Sequence, residues 1–265
     1  MPLLAPALRL AFSLTLLLLP SLARAEKPQP CPRLTSAAEP SILEAALAPN
    51  EVGLTYIGHA TFLIETPGGV RIATDYNDFI RPSVVPDVAT MNKAHPSHYS
   101  NHPDPGIKLV LRGWNPAGGP ISYDEVFGDV RIRNVQTNIR DWGGTTEYNG
   151  NSIFVFESAG LCIAHLGHLH HELTPELREM LGRVDVVLAP VDGSYTLDTQ
   201  GMMNVLKAIE PRLIIPMHIF SDATLERFLS LARESYPVEF SDSAHIVLSR
   251  DTLPATPKIL VLPGR

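Results

Sequence analysis

Beyond residue 50 the sequence alternates short apolar runs with turn residues, and the order of those runs narrows the fold more than any other feature. LTYIGHATFLIET, PGG and VRIATD read as strand, turn and strand. DVRIRNV and NSIFVFES are further strands, the second entered through YNGN, and LCIAHLG is a strand that runs into histidines. From there strand and helix alternate. In LTPELREMLG, Thr174 is placed as an N-cap, Pro175 at the first helical position and Gly182 at the stop. VDVVLAPV reads as a buried strand, and DTQGMMNVLKAIEP as a helix that ends before Pro211. RLIIPMH is a strand ending in His218, ATLERFLSLARES an amphipathic helix, and HIVLSR a closing strand. With 24 prolines and 18 glycines supplying loops, this order describes an α/β domain over residues 51–265 rather than a helical bundle. A chain of 265 residues that is 45% hydrophobic suffices for one such domain with a sizeable core.

The first 50 residues stand apart. Arg9, the apolar run Leu10 to Leu19 and Ala-Arg-Ala ending at Ala25 have the layout of a secretory signal peptide, so residues 1–25 are expected to be removed after Ala25. The run is short of the roughly 20 residues a bilayer span needs, so no stable membrane anchor is expected. Residues 26–50 read as a Pro-rich leader with a short helix around Ser41–Leu47. The expected location is secreted or periplasmic. There Cys31 and Cys162 meet an oxidising compartment, where a pair would pin the leader to the core. Two unpaired thiols, with Cys162 simply buried, is the other reading. A net charge of -7 with 18% charged residues argues against a polyanion-binding surface, so nucleic acid is not an expected partner.

Ten histidines mark the candidate chemistry: 59, 95, 98, 102, 165, 168, 170, 171, 218 and 245. Those at 95 and 98, at 165 and 168, and at 218 fall at strand ends or in the loops just after, where a sheet holds loops in fixed positions. A single histidine there is more often structural. Three such groups in one chain point to a metal, since zinc prefers imidazole nitrogen and catalytic sites take three protein ligands and a water.

YIGHATFLIETPGGVRIATD, IAHLGHLHHELTPELREMLGRVDVVLAPVDGSYTLD and PRLIIPMH, in this order over residues 52–221, resemble the metallo-β-lactamase fold superfamily. Within it the chain is similar to the branch of L-ascorbate-6-phosphate lactonase-like hydrolases. The resemblance implies an αββα sandwich with a metal centre at one edge of the two sheets. The family's His-x-His-x-Asp-His loop, laid without a gap on KAHPSH, falls on Lys93, His95, Ser97 and His98, so two ligand positions have lost their usual residue. His-Leu-Gly-Asp of the family reads His165-Leu-Gly-His168, which puts a histidine where a bridging aspartate belongs. The last ligand is kept as His218. Asp75 matches an aspartate that ends the second strand and is expected to stand behind the ligands. His59, in a Gly-His-Ala-Thr turn, is expected either to face the pocket or to be buried and hydrogen-bonded.

On this resemblance one metal would take His95 and His165 beside Lys93, whose ammonium repels a divalent ion. A second would take His98, His168 and His218, three imidazoles with an open fourth position. One or two divalent ions, zinc first among them, are therefore expected, with the second set preferred and the first a weak half-site. Lys93 either faces solvent or stands in the pocket as a fixed positive charge, and Arg140, Asp141 and Trp142 are placed to rim the pocket. His95 and His165 are candidate bases where they hold no metal. His102 is read as a loop residue within reach of the metal, His170 and His171 as lying where a helix begins, and His245 as structural. The expected function is a secreted metal-dependent hydrolase acting on an ester, lactone or phosphoester through a metal-activated water, with a small-molecule substrate, an anionic one among the candidates. The alternative is a weakened member that binds metal or ligand without turnover.

Overall fold

A computed structural model of the chain describes residues 47–264 apart from Trp142. The signal-peptide segment, Cys31 and residues 26–46 of the leader therefore lie outside the described residues, as does all of the expected leader helix except Leu47. Among the described residues, fourteen strands and three helices follow one another within a single unit, Glu44–Arg265. The first sheet holds β1 (Val52–Gly58), β2 (Thr61–Glu65), β3 (Arg71–Ala73), β4 (Val88–Met91) and β5 (Leu109–Arg112), with β13 (His245–Leu248) beside β1. The second holds β6 (Asp124–Phe127), β7 (Val130–Arg140), β8 (Thr146–Ser158), β9 (Leu161–His165), β10 (Val186–Pro190) and β11 (Leu213–Met217), with β14 (Lys258–Val261) and β12 (Val238–Phe240) at its far end.

The period of two along the strands decides what meets what. In β8, Phe154 and Phe156 point to the other sheet and join Leu54, Phe62, Ile64, Ile132, Ile163, Leu188 and Ile215 in the core between the sheets. Ile153 and Val155 point the other way, onto a second core with Val187, Ile214 and the helices α1 (Pro175–Leu181), α2 (Thr199–Ile209) and α3 (Asp222–Ala232). Strands buried on both faces are apolar throughout, which is why LCIAH and VVLAP lack polar alternation. The helix signals are realised locally. Thr174 accepts from the Leu177 N–H, Gly182 closes α1 at φ 65°, and α2 ends on Glu210 in the left-handed region at φ 55°.

The fold is the expected α/β sandwich of two sheets, and the outer face of its first sheet is closed chiefly by loops. Among the described residues its small core of Ala73, Tyr76, Ala89 and Met91 is covered by loop residues such as Tyr99, Ile107 and Trp114 rather than by a helix. The chain there, from Asp75 to Lys108, is broken by prolines at 82, 86, 96, 103 and 105, and proline does not allow a helix to propagate.

Strand direction fixes where the site can be. β3, β4 and β5 are parallel to one another, and β9, β10 and β11 likewise. β1 runs with β3, because each is antiparallel to β2. The loops that leave the carboxyl ends of these strands gather at one edge of the sandwich.

Candidate metal centre

Six of those loops bring titratable side chains together: His59 after β1, Asp75 after β3, His95 and His98 after β4, His168 and His170 after β9, Asp192 after β10, and His218 after β11. Three of these residues hold a left-handed backbone without being glycine, His59 at φ 52°, Asp75 at φ 41° and His218 at φ 58°. Such conformations cost on the order of 1–3 kcal/mol each and persist where the surroundings enforce them. Here the enforcement is visible. The His59 carbonyl accepts from the His218 N–H at 2.6 Å and from the Tyr56 hydroxyl at 3.0 Å. The Asp75 carbonyl accepts from Asn77 Nδ2 at 3.0 Å and Thr61 Oγ1 at 3.2 Å.

His98 and His218 form the centre of the cluster, and both are fully buried. His98 Nδ1 lies 2.6 Å from Asp75 Oδ2, and His218 Nδ1 lies 3.0 Å from Asp192 Oδ1. Burial, reinforced by the neighbouring His218, holds the His98 imidazole well below its ordinary pKa. Burial also pushes the Asp75 carboxyl up to about 6, although Asn92 donates to it at 3.0 Å. Asp192 behaves oppositely. Burial would raise it, yet hydrogen bonds from His218 and Thr196 hold it well below the usual carboxylate range. It also accepts from the backbone N–H groups of Ser194 and Tyr195, so one carboxylate both orients His218 and folds the loop after β10.

These residues fit a divalent metal. With Nδ1–H of each ring committed to a carboxylate, both Nε2 atoms carry lone pairs, and they face each other at 3.2 Å. Two acceptors at that distance repel unless a cation lies between them. Two nitrogens held at about 2.0–2.1 Å by one tetrahedral zinc would be about 3.3 Å apart. Among the described residues, the side chains whose ligand atoms lie within 4.8 Å of one another are His59, His98 and His218. Nε2 of His59 and Nε2 of His168 are buried without a hydrogen-bond partner. The donor set is all nitrogen, which suits zinc, iron, nickel or copper better than magnesium or calcium.

The remaining expected residues divide. The His168 ring lies 4.8 Å, centre to centre, from both His98 and His218, and the half-buried His95 ring lies 4.7 Å from His168. His165 is not brought into this cluster. Its Nε2 meets the Ala60 carbonyl at 2.8 Å and its Nδ1 accepts from the Gly167 N–H at 3.2 Å, so both ring nitrogens serve the fold. Lys93 points outward, half exposed, and its ammonium pairs with Glu147. Of its two sequence readings, the solvent-facing one describes this placement. Arg140 does reach the rim, but its guanidinium donates to the Thr196 carbonyl at 2.6 Å, and Asp141 is used within its own turn by Gly143 and Thr145. His102 is held by its backbone on Ser100 Oγ, outside the cluster, and His245 bonds Thr55 at 2.9 Å. Trp142 and the Cys31–Cys162 pairing fall outside the described residues.

Two clefts open onto the cluster. One of about 390 Å³ is lined by His95, Ile139, Arg140, Glu147, His170 and Tyr195. The other, of about 560 Å³, is lined by His59, His95, His218, Tyr195, Phe220 and Thr224. Tyr195 and Phe220 are 53% and 55% exposed, and their rings lie 5.3 Å apart across the mouth, with Phe220 4.9 Å from His218. Sequence reasoning passed over Asp192, Asn92, Tyr195 and Phe220. A signal for Asp192 was present, since VDVVLAPVD ends a strand on an aspartate as VRIATD does.

The chain belongs to the metallo-β-lactamase superfamily: residues 53–218 match the family described as the beta-lactamase superfamily domain. It is similar to a Zn-dependent hydrolase of that superfamily from Thermotoga maritima, at 31% identity and a TM-score of 0.59, over 81% of this chain and 100% of the other. A UPF0173 metal-dependent hydrolase of Anaeromyxobacter dehalogenans is 28% identical over 213 residues, 66% of this chain and 76% of the relative. A UPF0173 protein of Pyrococcus furiosus is 25% identical over 190 residues, 66% of this chain and 88% of the relative.

Proposed function

We propose that the protein is a metal-dependent hydrolase that cleaves a small neutral ester or lactone carrying an apolar or ring-shaped group, at a zinc centre built on His98 and His218. The observation that carries the reading is the pair of Nε2 atoms 3.2 Å apart, each ring backed by a buried carboxylate. The hydrolase names of the similar proteins from Thermotoga maritima and Anaeromyxobacter dehalogenans agree with it. A divalent metal in this place supplies a Lewis-acid contact and lowers the pKa of water. Asp75 and Asp192 keep His98 and His218 in the ligating tautomer. The half-buried His95 stands at the mouth, and burial, together with the nearby His218, lowers its pKa. It is therefore uncharged near neutral pH and able to take up a proton there.

The preference for an ester or lactone over a phosphoester rests on the mouth. Tyr195 and Phe220 offer apolar surface, while the two cations near the clefts are engaged, Lys93 by Glu147 and Arg140 by a carbonyl. Hydrolysis of p-nitrophenyl esters and simple lactones should exceed that of p-nitrophenyl phosphate, disappear on chelation and return with zinc. Faster phosphate-ester cleavage, or activity indifferent to chelation, would overturn this reading. Bound zinc with no turnover of any ester would instead favour the binding role. We further propose export, from Arg9, the Leu10–Leu19 run and Ala-Arg-Ala. N-terminal sequencing of material from the periplasm should begin at Glu26, whereas an N-terminus at Met1 would refute it.

A further inference from the structure

Resting on that reading, we infer that His168 is not the third metal ligand but a fixed N–H donor into the site, and that the third imidazole is His59. Hydrogen-bond accounting carries the argument. The Arg140 backbone N–H donates to His170 Nδ1 at 2.7 Å, and Arg140 Nε lies 3.4 Å from the same nitrogen. A nitrogen that accepts an N–H carries a lone pair, so neutral His170 bears its proton on Nε2. That Nε2–H faces His168 Nδ1 at 2.5 Å and donates to it. The lone pair of His168 Nδ1 is thereby consumed, and the neutral ring bears its proton on Nε2. That atom is buried, lacks a hydrogen-bond partner, and sits on a ring 4.8 Å from both His98 and His218.

The three rings are therefore set in opposite senses. Behind His98 and His218 stand carboxylates, which accept from Nδ1–H and leave a lone pair at Nε2. Behind His168 stands a donor, which leaves Nε2–H. For His168 to ligate a metal through Nε2, its proton would have to move to Nδ1. His170 would then have to carry its own proton on Nδ1, against the Arg140 N–H at 2.7 Å. Two donors facing each other at that distance lose a buried hydrogen bond and add a repulsion. His59 has no such obstacle. Its Nε2 is buried and unpartnered, its ring is 4.1 Å from that of His218, and its ligand atom is within 4.8 Å of those of His98 and His218. The strained turn that presents it is tied to His218 by a backbone hydrogen bond.

The chemical consequence is that a donor occupies the position where the resemblance places a bridging carboxylate. An N–H held there by His170 and Arg140 suits an oxygen that gains negative charge as an ester or lactone carbonyl is attacked, and such a preset donor needs no reorganisation when the charge appears. Asp at this position would repel that charge.

Zinc affinity, measured by competition with a chromophoric chelator, separates the assignments without reference to activity. His59→Ala should weaken zinc binding by more than about a hundredfold, beyond the loss typical of an outer partner, whereas His168→Ala should stay within about threefold. Imidazole 1H–15N correlation spectra of the zinc-loaded native protein keep the test independent of how any variant folds. They should show His168 protonated at Nε2, and His98 and His218 protonated at Nδ1. Zinc lost by His168→Ala but kept by His59→Ala, or His168 protonated at Nδ1, would overturn the inference while leaving the hydrolase reading intact. A native protein that binds no zinc would remove the proposed function itself.

Discussion

The site has two halves that have diverged in opposite directions. In one, His98 and His218 come from different sheets, yet each is fully buried and each presents Nδ1 to a buried aspartate that follows a strand. In the other, the positions the resemblance gives to a first metal hold Lys93, His95 and His165. There the lysine is tied to Glu147 near the surface, and the histidine at 165 is spent on the backbone. A ligand residue is thus identified less by its type than by what stands behind it. On the proposed reading, the carboxylates behind His98 and His218 suit those rings to ligate, the carbonyl and N–H at His165 make it structural, and the second histidine behind His168 makes it a donor.

The sharpest way to break this comparison is to remove a ligand from the kept half. His218→Ala or His98→Ala should lower zinc affinity by more than about a hundredfold, against little change for His165→Gln once its fold is verified. Equal losses at 165 and 218, read by metal analysis after desalting, would erase the distinction between the halves. A smaller effect is expected one step back. Asp192→Asn keeps the shape but cannot fix the His218 tautomer as a carboxylate does, and should cost about tenfold to a hundredfold in zinc affinity. It should also loosen the loop that carries Tyr195, because Asp192 accepts from the N–H groups there. Unchanged affinity in that variant would show that the carboxylate serves the loop alone.

Acid should act through the same buried rings. Burial, with neighbouring charges, brings His59 and His170 down to about 3, and holds His98 and His168 well below the ordinary value. In the folded protein these rings stay neutral, while in the unfolded chain they protonate near about 6.5. Between about 6.5 and about 3 the unfolded state therefore binds more protons, and stability falls as pH falls. Asp75 opposes this, since its pKa is raised from 3.8 to about 6 and the folded state takes up its proton first. Four rings outweigh one carboxyl, so the melting temperature of metal-free protein should drop steadily below about pH 6.5. A melting temperature flat from pH 6.5 to 5 would mean that these rings are already accessible to protons.

Much of this was legible in the chain, for physical reasons that differ by element. Helix α1 was readable from Thr174, Pro175 and Gly182 because caps are local chemistry. The buried strands β9, β10 and β11 were readable as apolar runs ending in histidine or followed by aspartate. Strands β4, β5, β6, β12 and β14 were not, since three- or four-residue segments such as VATM and VEF carry too little period to be distinguished from loop. At the site, position along a strand brought His98, His168 and His218 together on paper, and the structure gathers them. The sense of each ring was invisible, because it depends on partners far off in sequence. Asp192 is 26 residues from His218, and Arg140 is 30 from His170.

The smallest effect is the most informative about the altered half. Lys93→His puts an imidazole at the position the resemblance gives to a first ligand, so on ligand counting alone it should recruit a second ion. The surroundings argue otherwise. Lys93 projects outward to Glu147 with nearly half of its side chain exposed, and its backbone N–H reaches Gly150 at 3.3 Å, so a shorter ring at 93 starts from the surface. Of its two expected partners, His165 has Nε2 on the Ala60 carbonyl and Nδ1 on the Gly167 N–H, and would have to abandon both to bind. Recruiting a metal would then leave a buried carbonyl and a buried N–H unpaired, at about 1–3 kcal/mol each. The exposed pair with Glu147 contributes only about 0–1 kcal/mol, so its loss should move the melting temperature by no more than a few degrees. About one zinc per chain is therefore expected in the native protein and in Lys93→His alike, by ligand counting at a single tetrahedral centre. Two zinc ions in the variant, measured after identical loading and desalting, would show that the lysine's charge alone had closed the first site, and the two halves would then differ by one side chain rather than by their surroundings.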